Sequence, residues 1–216
     1  IESPYKRVKN GIVEGKVEKT TNYELGVKSV LANGRVIANA AFFHVDYSNQ
    51  QTTESLSRPP FRIPTNIPET DIDGVELELT AHANENLVLS GAIGYLESEN
   101  SDTGDTSPFT SRVTSTVNVD FNYPMDNGWE FQAHADYRYH SSLFLRQIVA
   151  NQHVPAREFV NLRSSISSND IEVGLFVKNI FNTREAIRTL GVSSSKGVLR
   201  GQNKPRSYGV DVTYHF

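Results

Sequence analysis

From Val113 to Tyr139 the chain alternates residue by residue, and few folds accommodate such a pattern. Val113, Ser115, Val117, Val119, Phe121 and Tyr123 fall on one side of an extended strand. Arg112, Thr114, Thr116, Asn118, Asp120 and Asn122 fall on the other, because strand side chains alternate with a period of two. After Pro124-Met125-Asp126-Asn127-Gly128 the pattern resumes, with Trp129, Phe131, Ala133, Ala135, Tyr137 and Tyr139 opposed by Glu130, Gln132, His134, Asp136, Arg138 and His140. One face is apolar with aromatics at the strand ends, and the other is entirely polar. Ser207 to Phe216 repeats the scheme: Tyr208, Val210, Val212, Tyr214 and Phe216 share a face against Ser207, Gly209, Asp211, Thr213 and His215.

Weaker copies of the pattern fill the rest of the chain. Tyr23, Leu25 and Val27 oppose Asn22, Glu24, Gly26 and Lys28, and Ala32-Asn33-Gly34 supplies a tight turn. In the returning strand Ile37, Ala41, Phe43, Val45 and Tyr47 read as the apolar face against His44, Asp46 and Ser48, with Asn39 as a polar intrusion. Residues 50–68 read as a loop, since the four prolines Pro59, Pro60, Pro64 and Pro68 argue against ladder pairing. Val75, Leu77, Leu79 and Ala81, then Leu89, Ile93 and Tyr95, mark two further strands joined at Asn84-Glu85-Asn86. Val160, Leu162 and Ile166, and then Ile171, Val173, Leu175 and Val177, mark two more around Ser168-Asn169-Asp170. Residues 98–109, 141–156 and 182–203 read as long polar loops.

Short and long connections therefore alternate along about nine strands. That is the pattern of an antiparallel up-and-down transmembrane β-barrel, with short periplasmic turns and long outer loops. A closed barrel is also the strand architecture that satisfies every backbone group in lipid. No apolar run is long enough for a membrane helix, and mean hydropathy is negative, but alternating strands average their hydropathy away. The absence of cysteine excludes disulfides and thiolate metal sites. A net charge of −4 with both signs dispersed argues against nucleic acid as a partner. A soluble β-rich binding protein and a passive porin-type channel are the alternatives. An odd strand count ending on the periplasmic side implies the C-terminal part of a larger barrel. Residues 1–16 then form an outer loop or the end of a preceding strand, and residues 17–216 the C-terminal strands.

Several segments resemble TonB-dependent outer-membrane receptors. They are Tyr23-Glu24-Leu25-Gly26-Val27-Lys28, Phe42-Phe43-His44-Val45-Asp46-Tyr47, Gly74-Val75-Glu76-Leu77-Glu78-Leu79, Phe176-Val177-Lys178-Asn179-Ile180-Phe181-Asn182 and Pro205-Arg206-Ser207-Tyr208-Gly209-Val210. The resemblance implies a barrel of about 22 strands closed by an N-terminal plug, of which this chain supplies the last strands without the plug. It implies import of a small-molecule metal chelate, a ferric siderophore above haem, cobalamin or a glycan, with energy delivered by TonB through the plug. Further partners are outer-membrane lipid, lipopolysaccharide and the barrel assembly machinery. The cell would be a Gram-negative bacterium, with the C-terminus periplasmic. No cofactor and no enzymatic activity are expected.

Six histidines raise the question of a metal site or catalysis. His44, His82, His134, His140 and His215 read as polar, inward-facing strand residues, and no metal-ligand spacing is present. His134 and Asp136 share a face as an orienting pair would, but lack a partnered nucleophile. The loop cations Arg146, Arg184, Arg188, Lys196 and Arg200, with His153, are candidates for an anionic ligand. Tyr139, Phe144 and Gln147 are candidates for covering it. Ser207, Gly209, Val212, Tyr214 and Phe216 resemble a barrel-assembly signal at the C-terminus.

Overall fold

The computed structural model describes residues 15–55, 62–101, 104–144, 153–193 and 197–216. Thirteen strands and no helix form within them. They are β1 (Lys19–Leu31), β2 (Val36–Ser55), β3 (Arg62–His82), β4 (Leu87–Asn100), β5 (Val113–Pro124), β6 (Glu130–His140), β7 (Leu143–Phe144), β8 (His153–Val154), β9 (Arg157–Ser167), β10 (Ile171–Lys178), β11 (Ala186–Ser193), β12 (Gly197–Gln202) and β13 (Ser207–Tyr214). Nine of them build one antiparallel sheet in the order β1-β2-β3-β4-β5-β6-β9-β10-β13. Every neighbour in the sheet is also the next sheet strand along the chain, as an up-and-down meander requires. The sheet does not close, and β1 and β13 are its edges.

The tight turns are built as the residues dictate. Ala32 and Asn33 take φ of 52° and 57°, Gly34 takes 88°, and the Gly34 N–H donates to the Leu31 carbonyl at 3.1 Å. Gly128 takes φ of 78° between β5 and β6, where its N–H reaches the Met125 carbonyl.

The long connections are more ordered than their composition implies. Residues 141–156 contain the β7–β8 hairpin, and residues 182–203 contain β11 and β12 as a second hairpin. The proline-rich stretch is corrected further. β2 continues to Ser55 and β3 begins at Arg62, so Pro64 and Pro68 lie inside a strand. The register passes straight through, from Ser48↔Glu69 to Gln50↔Ile67. Pro68 has no N–H to give Asn49 opposite it, and the Asn49 carbonyl instead accepts a 2.6 Å bond from the Asn66 side-chain amide. Asn66 also exchanges bonds with the Lys16 backbone at 2.8 and 3.2 Å. A strand of 21 residues spans roughly 65–70 Å, so this hairpin projects well past its neighbours.

Register overturns one face assignment. Leu25 pairs with Phe42 and Phe42 with Val75, while Glu24 pairs with Phe43 and Phe43 with Gly74. Directly paired residues share a face. Ala38, Ala40, Phe42, His44 and Asp46 therefore belong to the side carrying Tyr23, Leu25, Leu77 and Leu79. Ile37, Ala41, Phe43, Val45 and Tyr47 stand on the polar side with Glu24, Lys28, Glu76 and Glu78. His44 is thus not inward-facing. Asn39 ceases to be an intrusion, because on the polar side its amide donates to Glu78 Oε2 at 3.3 Å. The Phe43 ring fits there because it lies over Gly74, where a Cβ would come within 2.1 Å of Cζ. Phe176 lies over Gly209 in the same way, at 2.7 Å.

The apolar face has no protein layer against it. Leu25 is 74% exposed, Leu175 56% and Tyr208 80%, and the buried hydrophobic residues among those described are Leu143 and Val154 of the small hairpin. A water-soluble sandwich buries this face against a second sheet. Here it stays open along all nine strands.

Candidate functional site

The polar face is organised around ion pairs and side-chain amides that cross from strand to strand. Near the tight-turn end, Arg163 of β9 grips Asp211 of β13 through Nη1 and Nη2, and Nη2 also reaches Glu172 of β10 at 2.9 Å. One guanidinium thereby joins three strands, including the C-terminal one. His134 Nδ1 lies 2.7 Å from Asp120 Oδ1, whereas its Nε2 is 4.0 Å from Asp136. Its closer partner is Asp120 across the strand pair, not Asp136 beside it.

Toward the long connections the network becomes continuous. Asp136, with 15% of its side chain exposed, accepts from Arg138 and from the Asn161 amide, whose nitrogen lies 2.9 Å from both carboxylate oxygens. Asn161 Oδ1 in turn accepts from the Asn179 N–H at 2.8 Å. Asn179 is buried, has φ of 54°, and bonds through its side chain to the Thr183 N–H, the Thr183 carbonyl and the Lys204 carbonyl. Asn203 completes the knot by donating to the Thr183 carbonyl and accepting from the Glu185 N–H. The segment after β10 is thus the clamp that fixes the root of the β11–β12 hairpin.

Two guanidiniums and an imidazole sit together on this support. His140 at the end of β6 pairs directly with Arg157 at the start of β9, and Arg138 lies two residues before it on the same face. Both guanidiniums bear electrostatically on the imidazole. Arg138 is matched by Asp136. Arg157 is not: its Nη1 is shielded from solvent and has no hydrogen-bond partner among the described residues. Glu185 at the hairpin root is the acid whose charge bears on it. A shielded guanidinium nitrogen without a partner is costly unless something else supplies an acceptor. Arg138, His140 and Arg157 therefore form a pre-oriented anion-attracting group on the polar face, between the two small hairpins.

Sequence reasoning singled out other residues for this role. Phe144 and His153 do come together: they are paired in the β7–β8 hairpin, with ring centroids 5.3 Å apart. Arg184 is exposed at the hairpin root, with Nε 3.3 Å from Asn182 Oδ1. Arg188 and Arg200 occupy β11 and β12 opposite Gly201 and Thr189. Tyr139 stands on the apolar face, opposite Ser115 and Glu158. Arg146, Gln147 and Lys196 lie outside the described residues. Arg157 was missed because the segment leading into β9 reads as loop from its composition. The parity that places Arg163 and Asn161 inward also places Arg157 inward, and that was the available signal.

A groove of about 660 Å³ lies elsewhere, on the apolar face, where Phe121, Leu162, Leu175 and Tyr208 rise around Ala133 and Ala135. Its lining suits hydrocarbon rather than a charged ligand. On the polar face a smaller hollow of about 330 Å³ includes Asp120, His134 and Arg163.

The open meander, with one apolar and one charged face, is a section of barrel wall, and comparison with known proteins agrees. The family described as TonB dependent receptor-like, beta-barrel matches residues 10–180. The chain belongs to that family. Membership places it among outer-membrane β-barrel proteins, and the nine-stranded sheet is a partial barrel of that type. The ferric yersiniabactin uptake receptor FyuA from Yersinia pestis shares the fold with a TM-score of 0.76 at 18% identity, over 90% of this chain and 29% of that one. The copper transporter OprC gives 0.71 at 15% identity, over 94% and 32%. The siderophore receptor PiuA from Acinetobacter baumannii gives 0.67 at 16%, over 89% and 28%. The chain thus spans less than a third of the length of each of these.

Proposed function

We propose that the protein carrying this chain is an outer-membrane importer that captures an anionic metal chelate, a ferric siderophore, and moves it inward with energy delivered by TonB through a plug. In this reading the apolar face meets lipid and the polar face lines the barrel. Tyr23, Tyr95, Tyr137 and Tyr139 stand toward one membrane boundary, and Tyr123, Phe131, Tyr214 and Phe216 toward the other, as an aromatic girdle requires. The tight turns and the C-terminus are then periplasmic, and the two small hairpins face outward. Lipopolysaccharide surrounds the outer rim, and the terminal strand engages the barrel assembly machinery during insertion. The reading includes no covalent step.

The single observation that carries the ligand class is the unsatisfied Nη1 of Arg157 beside His140 and Arg138. A carboxylate, hydroxamate or catecholate oxygen of a ferric chelate supplies the missing acceptor, and the shielded setting strengthens the bond. One charge-assisted bond is worth about 1.5–3 kcal/mol, or roughly ten- to 150-fold in affinity. The test measures binding of anionic and neutral ferric chelates to the full-length protein in detergent, comparing the wild type with Arg157→Gln. Selective loss of the anionic chelates supports the reading, and equal affinities overturn the ligand class. Uptake in cells with and without TonB tests the energy source, since a passive pore continues to conduct when TonB is removed.

A further inference from the structure

The corrected face of β2 brings His44 and Asp46 beside two aspartates of β3 on the apolar side, level with Tyr23, which pairs directly with His44, and past Tyr95. His44 pairs with Asp73 and Asp46 with Asp71. His44 Nδ1 lies 2.8 Å from Asp73 Oδ1, and His44 Nε2 lies 3.0 Å from Asp46 Oδ1. Among the described residues, His44, Asp46 and Asp71 can each offer one ligand atom with all three within 4.8 Å of one another.

Two features go beyond a chance gathering of acids. The first is the placing of the imidazole. His44 stands between two carboxylates, with Asp73 at Nδ1 and Asp46 at Nε2, so one ring nitrogen has a carboxylate to orient it while the other points at a second carboxylate. A carboxylate on the far nitrogen is also the partner that orients a metal-binding histidine and raises its basicity. The second is the cross-strand pair Asp46↔Asp71, two like charges opposite each other, an arrangement that destabilises a sheet unless something neutralises it. Of the acids on β4 beside the cluster, Glu97 is matched by Arg112 at 2.8 Å, Glu99 stands directly opposite Asp71, and one oxygen of Asp71 accepts from the Ser101 hydroxyl at 2.8 Å. One imidazole cannot balance the three aspartates around it.

We infer that His44, Asp46 and Asp71 form a binding site for a divalent transition metal, with Asp73 as the residue that positions His44. One nitrogen and two carboxylate oxygens suit zinc and its neighbours better than magnesium or calcium, which prefer all-oxygen shells. Metal–ligand bonds of about 2.0–2.2 Å place tetrahedral ligands about 3.3 Å apart, a spacing these side chains reach by rotamer adjustment. His44 and Asp46 are each about two-fifths exposed, so an ion has access. This site lies on the opposite face from Arg157 and is independent of import.

The experiment uses the full-length protein in detergent, stripped with EDTA and titrated with zinc chloride by calorimetry. One zinc equivalent is expected that weakens at least tenfold in His44→Gln and in Asp71→Asn. Asp73→Asn is expected to weaken it ten- to 100-fold while leaving the stoichiometry intact. His134→Gln, on the polar face, leaves that equivalent unchanged. Heat-modifiable gel migration of each metal-free variant checks that its barrel is assembled. X-ray absorption at the zinc edge is expected to show a nitrogen and oxygen shell containing one imidazole. Wild-type zinc affinity and stoichiometry in assembled His44→Gln, or a shell without imidazole, overturns the site.

Discussion

Gly74→Ala tests the register correction, because the polar-face position of Phe43 depends on the space at residue 74. A Cβ built there lies 2.1, 2.6 and 2.7 Å from three atoms of the Phe43 ring. Carbon atoms pack at about 3.5–4.0 Å, so the ring must withdraw by more than about 1 Å or leave its rotamer. Overpacking of this kind costs about 1–3 kcal/mol, a roughly five- to more than 100-fold shift in the folding equilibrium. Gly94→Ala is the control, since the nearest atom to its Cβ is Thr114 Oγ1 at 3.3 Å, the movable end of a side chain. The assay is reversible unfolding of the full-length barrel in urea, followed by tryptophan fluorescence and heat-modifiable gel migration. Phe43→Ala combined with Gly74→Ala is expected to recover most of the loss caused by Gly74→Ala, because the clash needs both partners. If Gly74→Ala falls within about 0.5 kcal/mol of wild type, as an ordinary surface change does, the ring does not lie over Gly74 and the face assignment of β2 fails.

Asn179→Ala removes a buried side chain that serves Thr183 and Lys204, and is expected to cost about 2–4 kcal/mol; protease nicking within residues 182–203 should appear in the variant and not in the wild type. Asn66→Ala leaves the Asn49 carbonyl opposite a proline with no donor, so amide exchange in the outer half of β2 and β3 should quicken while that of β5 and β6 stays unchanged. Deleting Phe216 is expected to lower membrane insertion far more than chelate affinity; equal insertion of the truncated chain would remove the assembly role of the terminal strand.

The sequence by itself determined which segments pair and on what scale. Strands such as β5, β6 and β13 carry one apolar and one polar parity, so their faces follow from a period of two alone. Turn chemistry at Asn33-Gly34 and Asn127-Gly128 set the short connections, and with them the meander order. Nine sheet strands and the family were legible for these reasons. Tertiary structure decided what parity could not. β2 offers Phe42 on one side and Phe43 on the other, with alanines on both, so its own pattern is ambiguous; its pairing with Leu25 and Val75, and the space over Gly74, break the tie. Prolines in β3 are tolerated because the Asn66 side chain bonds the carbonyl Pro68 leaves unserved, a long-range compensation that local propensity does not encode. The same limit hid both clusters with chemical potential. His44, Asp46 and Asp71 are dispersed until register makes them neighbours, and Arg157 gains its meaning only when β6, β9 and the clamp around Asn179 enclose it.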